Sequence, residues 1–281
     1  MTEPKTIDVG GLRVRVRLEG DPADRPVVLL HGIGRSLEDW GPQYDLLAKG
    51  NRLIGLDLPG FGYSQRRPEQ ASLAALGSGV RATLDALGET RPVHLVGNSL
   101  GGAVSLQILG FAPTRVASVV LVNSGGFGSE VTYLLRMLAI PGLGKLALRR
   151  PTRLGNRHIE RTLYATKSHA TAERVEHALK LGREPGAAEF MAEITMALGT
   201  LRGAKEPWRR ELLDAARQAH KPMLVIWGDR DKILPPKHFD VAKYTFPLAK
   251  SHLFPGTGHM PQIERPEEFA ALVQDFHASL A

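Results

Sequence analysis

Val93-His94-Leu95-Val96-Gly97-Asn98-Ser99-Leu100-Gly101-Gly102 decides how this chain is read. Strand-prone positions run into Gly-x-Ser-x-Gly, and good helix formers follow from Ala103 to Leu109. A strand that stops on a serine and restarts as a helix needs a very sharp turn. Gly97 and Gly101, two residues to either side of Ser99, remove the side chains that would collide there. Such a turn is strained, and it pushes the hydroxyl out beyond the sheet edge. Gly97, Asn98 and Gly101 are therefore expected to frame a nucleophile elbow around Ser99. Glycine and serine also crowd ordinary loops, so the partners of the serine matter.

A serine hydroxyl is a poor nucleophile at neutral pH. It needs a neutral imidazole to take its proton and a carboxylate to hold that imidazole in the right tautomer. Downstream, Met223 to Trp227 reads as a buried strand entering Gly228-Asp229-Arg230-Asp231. Ser251 to Phe254 reads as another, followed by Pro255-Gly256-Thr257-Gly258-His259. An acid and a histidine thus fall just past strand ends, where functional groups of an open α/β sheet collect. Upstream, the strand Val27 to Leu30 ends in His31-Gly32-Ile33-Gly34. The backbone N–H groups of Ile33 and Leu100 are the expected donors to a developing oxyanion.

These segments, together with Asp57-Leu58-Pro59-Gly60-Phe61-Gly62-Tyr63-Ser64, resemble the α/β-hydrolase superfamily from about Val9 to the last helix. The resemblance implies a mostly parallel eight-stranded sheet flanked by helices, with a helical cap after the sixth strand. It implies Ser99, Asp231 and His259 as nucleophile, acid and base. Asp229 is the close rival of Asp231. Some relatives place the acid after the sixth strand, where this chain has Asn123 and Ser124, neither able to serve. Asp57 is expected to be part of turn architecture. Relatives with aspartate at the elbow cleave carbon–halogen bonds or epoxides, whereas a serine points to acyl transfer with water as the usual acceptor.

The expected activity is therefore cofactor-independent hydrolysis of small or medium apolar carboxylic esters through an acyl-enzyme. Two alternatives stand beside it. One is C–C bond hydrolysis of ring-cleavage dienoates, which Asn98 suggests. The missing glycine-proline-glycine continuation of the oxyanion loop, and Met260 in place of tryptophan, argue against it. The other is a non-catalytic ligand receptor on the same scaffold, which often loses a triad residue that is present here.

The 281 residues are 43% apolar, enough for a sizeable core. Absence of cysteine excludes a disulfide framework and a thiolate nucleophile. The first residues lack a basic-then-apolar leader, so a cytoplasmic location is expected. No histidine pair has zinc-ligand spacing, and neither metal nor cofactor is expected.

Strand and helix alternate through Asn123, with helices expected over Leu37–Leu47, Ala71–Leu87 and Leu100–Ala112. After Gly125-Gly126 the strand signal vanishes until Pro222. Residues 1–126 and 222–281 are read as the core domain and 127–221 as the cap. Helices there are expected over Thr132–Ile140, Ala172–Gly182, Ala187–Leu198 and Trp208–Ala219. The whole net charge of +7 lies between Phe127 and Lys221. Acids interspersed with these cations, and the lack of a recognised motif, argue against nucleic acid. Tyr133 to Leu143 carries more apolar side chains than one buried stripe needs, which suggests a greasy entrance lining. Transient lipid contact aided by Lys145, Arg149 and Arg150 is a further reading. Expected pocket residues are His31, Leu135, Leu138 and Met260.

Overall fold

In the computed structural model, which describes residues 2–280, strands β1 (Lys5–Val9) and β2 (Leu12–Glu19) form an antiparallel hairpin. Gly10 and Gly11 both have positive φ, the requirement of a tight two-residue connection. Next come β3 (Arg25–Leu30), α1 (Gly41–Leu47), β4 (Asn51–Leu56) and α2 (Leu73–Ala86). They are followed by β5 (Val93–Asn98), α3 (Leu100–Phe111) and β6 (Val116–Val122). The helix expected from Leu37 starts as a 3-10 turn, Leu37–Trp40, because Pro42 has no N–H to give and so suits only a helix's first turn.

Between β6 and the next sheet strand, six helices intervene. They are α4 (Tyr133–Leu138), α5 (Leu143–Leu148), α6 (Arg153–Leu163), α7 (Ala172–Gly182), α8 (Ala187–Leu198) and, past a short ladder, α9 (Glu206–Gln218). That ladder, β7 (Gly199–Thr200) with β8 (Gly203–Ala204), corrects the expectation that strands vanish in this segment. Two-residue strands are too short to leave an alternating pattern. The chain then closes the sheet with β9 (Met223–Gly228), α10 (Lys237–Thr245), β10 (Lys250–Phe254), α11 (Pro261–Glu264) and α12 (Pro266–Ala278).

The eight-stranded sheet runs β1-β2-β4-β3-β5-β6-β9-β10, with β1, β2 and β4 pairing antiparallel in turn and the remainder parallel. Side-chain alternation splits the interior into two layers. Val28, Leu30, Leu95, Val119, Leu121 and Val225 face the apolar sides of α2, α3 and α9. Val27, Leu29, Val96, Val120, Leu224 and Ile226 face Tyr44 of α1 and Phe269, Val273 and Phe276 of α12. Burial on both faces explains why these strands read as unbroken apolar runs. Each such side chain contributes about 1.5–3 kcal/mol. The parallel strands therefore present their C-terminal ends, and the loops they carry, as one rigid rim.

Candidate active site

Ser99 sits at the end of β5 with φ 55° and ψ −113°, a strained conformation for a residue with a side chain. Its surroundings leave no room for an ordinary turn. A Cβ on Gly97 would lie 2.3 Å from the Gly101 carbonyl oxygen, and one on Gly101 would lie 2.2 Å from that of Leu30. Gly102, likewise, would meet the Ser124 hydroxyl at 2.3 Å. The turn is locked from outside: Ser99 N–H donates to Val122 O (2.9 Å), and Gly125 N–H donates to Ser99 O (2.9 Å). Asn98 binds the elbow to the histidine loop, its Nδ2 donating to His259 O at 3.0 Å and to Val122 O at 3.2 Å.

Asp231 and His259 meet. The imidazole Nδ1 lies 2.7 Å from Asp231 Oδ2, and both side chains are buried. A carboxylate only accepts, so Nδ1 carries a proton, and the tautomer this selects has its lone pair on Nε2. Asp231 Oδ1 accepts the N–H groups of Ile233 (2.7 Å) and Leu234 (3.1 Å). Asn123 Nδ2 donates to Oδ2 at 2.7 Å. Asp229 instead accepts Thr257 N–H and pairs with Arg230, so geometry separates the two acids. Gly228 makes the approach feasible, since a Cβ there would lie 2.1 Å from the Gly258 carbonyl oxygen.

Ser99, Asn98 and His259 all line one cavity of about 570 Å³ with predominantly apolar walls. The imidazole's side-chain hydrogen bond among the described residues is the one to Asp231. The Ser99 hydroxyl shares the cavity without a bond to the ring, and such contacts commonly tighten only when substrate is present. Leu100 N–H opens α3 and has no acceptor within the helix. Ile33 lines the cavity wall.

Of the expected pocket residues, Leu135, Leu138 and Met260 line the cavity, joined by Phe61, Phe190 and Met191. His31 does not, which corrects its assignment. It is fully buried, and both ring nitrogens are used internally: Nε2 accepts Leu58 N–H (2.9 Å) and Nδ1 donates to Gly32 O (2.7 Å). Burial lowers its pKa, and the neutral ring braces the loop that carries Ile33. Asp57 is structural, as expected. It accepts Leu37 N–H (2.8 Å) and Tyr63 N–H (2.9 Å) and pairs with Arg15. Burial nonetheless raises its pKa.

Several contributors have no sequence signature. Arg35, directly after the Gly32–Gly34 loop, binds Asp39 through two nitrogens (2.8 and 2.7 Å) and also bonds the fully buried Glu160 of α6. Burial opposes its charge, but the two carboxylates outweigh that and hold its pKa well above the usual value. Ser36 Oγ lies 2.8 Å from His177 Nε2 on α7. Glu264 accepts N–H groups from Gly258 (2.8 Å), Ala165 (2.9 Å) and Thr166 (3.3 Å), joining the histidine loop to the end of α6; burial raises its pKa.

Residues 25–266 match a family model described as alpha/beta hydrolase fold. The chain is 34% identical to the dihydrolipoyllysine-residue acetyltransferase component of the acetoin cleaving system of Pseudomonas putida. That match covers 94% of this chain but only 66% of the relative, just under two thirds of its length. The chain is 29% identical to 2-hydroxymuconate semialdehyde hydrolase of Pseudomonas sp. (strain CF600), over 94% of this chain and 91% of that one. A solved structure of a serine hydrolase from Cycloclasticus zankles superposes with a TM-score of 0.83 at 23% identity, covering 99% and 98% of the two chains.

Proposed function

The chain belongs to the α/β-hydrolase fold family, and from the chemistry of its site we propose that it hydrolyses carboxylic esters of small or medium apolar acyl groups. One observation carries the reading. A strained serine and a histidine held in its basic tautomer open into the same apolar cavity. In this scheme Ser99 Oγ attacks the ester carbonyl carbon while His259 Nε2 takes its proton. The N–H groups of Ile33 and Leu100 hold the negative oxygen of the tetrahedral intermediate. The imidazolium returns the proton to the leaving alkoxide, and water then cleaves the acyl-enzyme by the same steps. Asp231 steadies the imidazolium and keeps its charge. Residues 127–221 act as the cap, supplying Leu135 and Leu138 to the acyl pocket and excluding water.

Two relatives supply second readings. Likeness over nearly the full length to a semialdehyde hydrolase, with Asn98 ahead of the nucleophile, supports C–C bond cleavage of a dienoate. Likeness to an acetyltransferase component supports the same acyl intermediate with an acceptor other than water. Turnover of p-nitrophenyl esters of increasing chain length, measured beside a dienoate, separates them. Ester turnover is expected to dominate and to fall by about four orders of magnitude in Ser99→Ala. A preference for the dienoate, or ester turnover that survives Ser99→Ala, would overturn the proposal.

A further inference from the structure

We propose that the outer stripe of α6, with Lys167 and Lys232 beside it, docks on an anionic lipid bilayer. The surface stands apart from the chemistry at Ser99. Helix α6 has two working faces. Gly155, Asn156, Ile159 and Leu163 line the cavity. Leu154, Arg157, His158, Arg161 and Thr162, at the spacing of one helical stripe, border a separate outer depression with Lys167 and Lys232.

The charge of that stripe is one-sided. From Leu143 to Lys167 the chain has seven Lys and Arg against a single acid, Glu160. Glu160 is turned inward to Arg35 and is fully buried, so it offsets none of the outward charge. Among the described residues Arg157, Arg161, Lys167 and Lys232 have no carboxylate partner, unlike Lys145 (Glu189, 3.3 Å) and Arg153 (Glu176, 3.9 Å).

Leu154 stands in the stripe itself, and the two preceding helices carry Leu146 and Tyr133 as exposed large apolar side chains. Leu154 is 79% exposed, Leu146 67% and Tyr133 71%. A nucleic acid would satisfy the arginines and leave these three in water. A bilayer takes both, its phosphates meeting Arg and Lys and its acyl boundary receiving the leucines and tyrosine. The opposite face of α6 lines the cavity, and Leu134 of α4, Leu148 of α5 and Arg150 just past α5 line it too.

The test is co-sedimentation of Ser99→Ala protein, which removes turnover from the readout, with vesicles of phosphatidylcholine alone or containing phosphatidylglycerol. Partition onto the phosphatidylglycerol vesicles, weakened by added salt, is the expected result. Reversing two cations in Arg157→Glu/Arg161→Glu should lower that partition by about 25-fold or more, taking each basic residue as worth about five-fold. Leu154→Ser should remove the part of binding that survives high salt. Leu248→Glu is the control: Leu248 is almost fully exposed but precedes β10, at the opposite end of the sheet from the site. It should bind like the parent. Unchanged thermal midpoints, and unchanged hydrolysis of a short soluble ester when the substitutions are made with Ser99 intact, show that the variants remain folded. Absence of partition onto anionic vesicles, equal binding by the charge-reversed variant, or equal binding to pure phosphatidylcholine would overturn the proposal. So would binding of duplex DNA that depends on the arginines but not on Leu154.

Discussion

The sheet-borne half of the cavity and its helical half are held by different physics. Around Ser99, Asp231 and His259 the constraints include close contacts at positions where only glycine fits: Gly97, Gly101 and Gly228 against backbone, and Gly102 against the Ser124 side chain. The helices between β6 and β9 are fastened to that rim mainly by side chains: Arg35 to Glu160, Ser36 to His177, and Glu264 to the amides of Ala165 and Thr166. Two backbone bonds stand beside them, His259 N–H to Leu163 O (2.7 Å) and Thr132 N–H to Ile233 O (3.0 Å). Backbone packing gives a site with one geometry. Side-chain fastening can be retuned, residue by residue, while the reacting groups stay where they are. Under the proposed function, this difference puts the chemistry on the sheet and substrate choice on the helices.

The largest expected effect tests the rigid half. Asp231→Asn should cut ester turnover by about four orders of magnitude, because an amide facing Nδ1 favours the wrong tautomer. Asp229→Asn, only two residues away, should stay within about two-fold. Equal losses in both would erase the distinction drawn from the hydrogen bonds of the two acids.

A middle-sized effect tests the fastening. Arg35→Met leaves Asp39 and Glu160 buried without their cation and should cost about 3–5 kcal/mol in urea unfolding. Adding Glu160→Met should recover part of that loss, since replacing both partners removes the uncompensated charge. Additive losses in the double variant would mean that the pair does not act as a unit.

The last effect, the smallest when read per pH unit, concerns acid and returns to the sheet. His94 of β5 and His277 of α12 pack with ring centroids 4.6 Å apart. Burial, with the nearby Arg25, lowers the His94 pKa to about 4; burial, with His94 and Arg25, lowers that of His277 to about 3. An unfolded histidine titrates near 6.5, so below about pH 6.5 the unfolded chain binds protons that the folded one refuses. Stability contributed by these neutral rings is complete above that pH and is lost as pH falls toward 4 and then 3. The slope is at most about 1.4 kcal/mol per pH unit for each ring. His277→Phe should flatten the acid limb of the urea midpoint against pH; an unchanged limb would remove these histidines from the account.

What could be read in advance follows the same division. The elbow glycines, the apolar runs of β3, β5 and β9, and the order serine, acid, histidine are local codes carried by adjacent residues. Helices α7 and α8 were legible to the residue because Thr171 and Gly186 stand at their starts and the apolar spacing is regular. Arg35, Glu160 and Glu264 were not, since pairing across more than a hundred residues leaves no periodicity in either partner. Asn123 was legible only as a position where an acid is missing; its amide turns out to hold Asp231 in place. His31 is legible as a residue that shapes the Gly32–Gly34 loop but not as one outside the pocket, because both of its nitrogens are spent on backbone groups.

Reaction with a fluorophosphonate probe, followed by intact mass and peptide mapping, addresses the central claim most directly, because it asks whether one serine is activated regardless of substrate. The account predicts a single adduct on Ser99, strongly slowed in His259→Ala and absent in Ser99→Ala. An unlabelled parent protein, or an adduct on another serine, would contradict it.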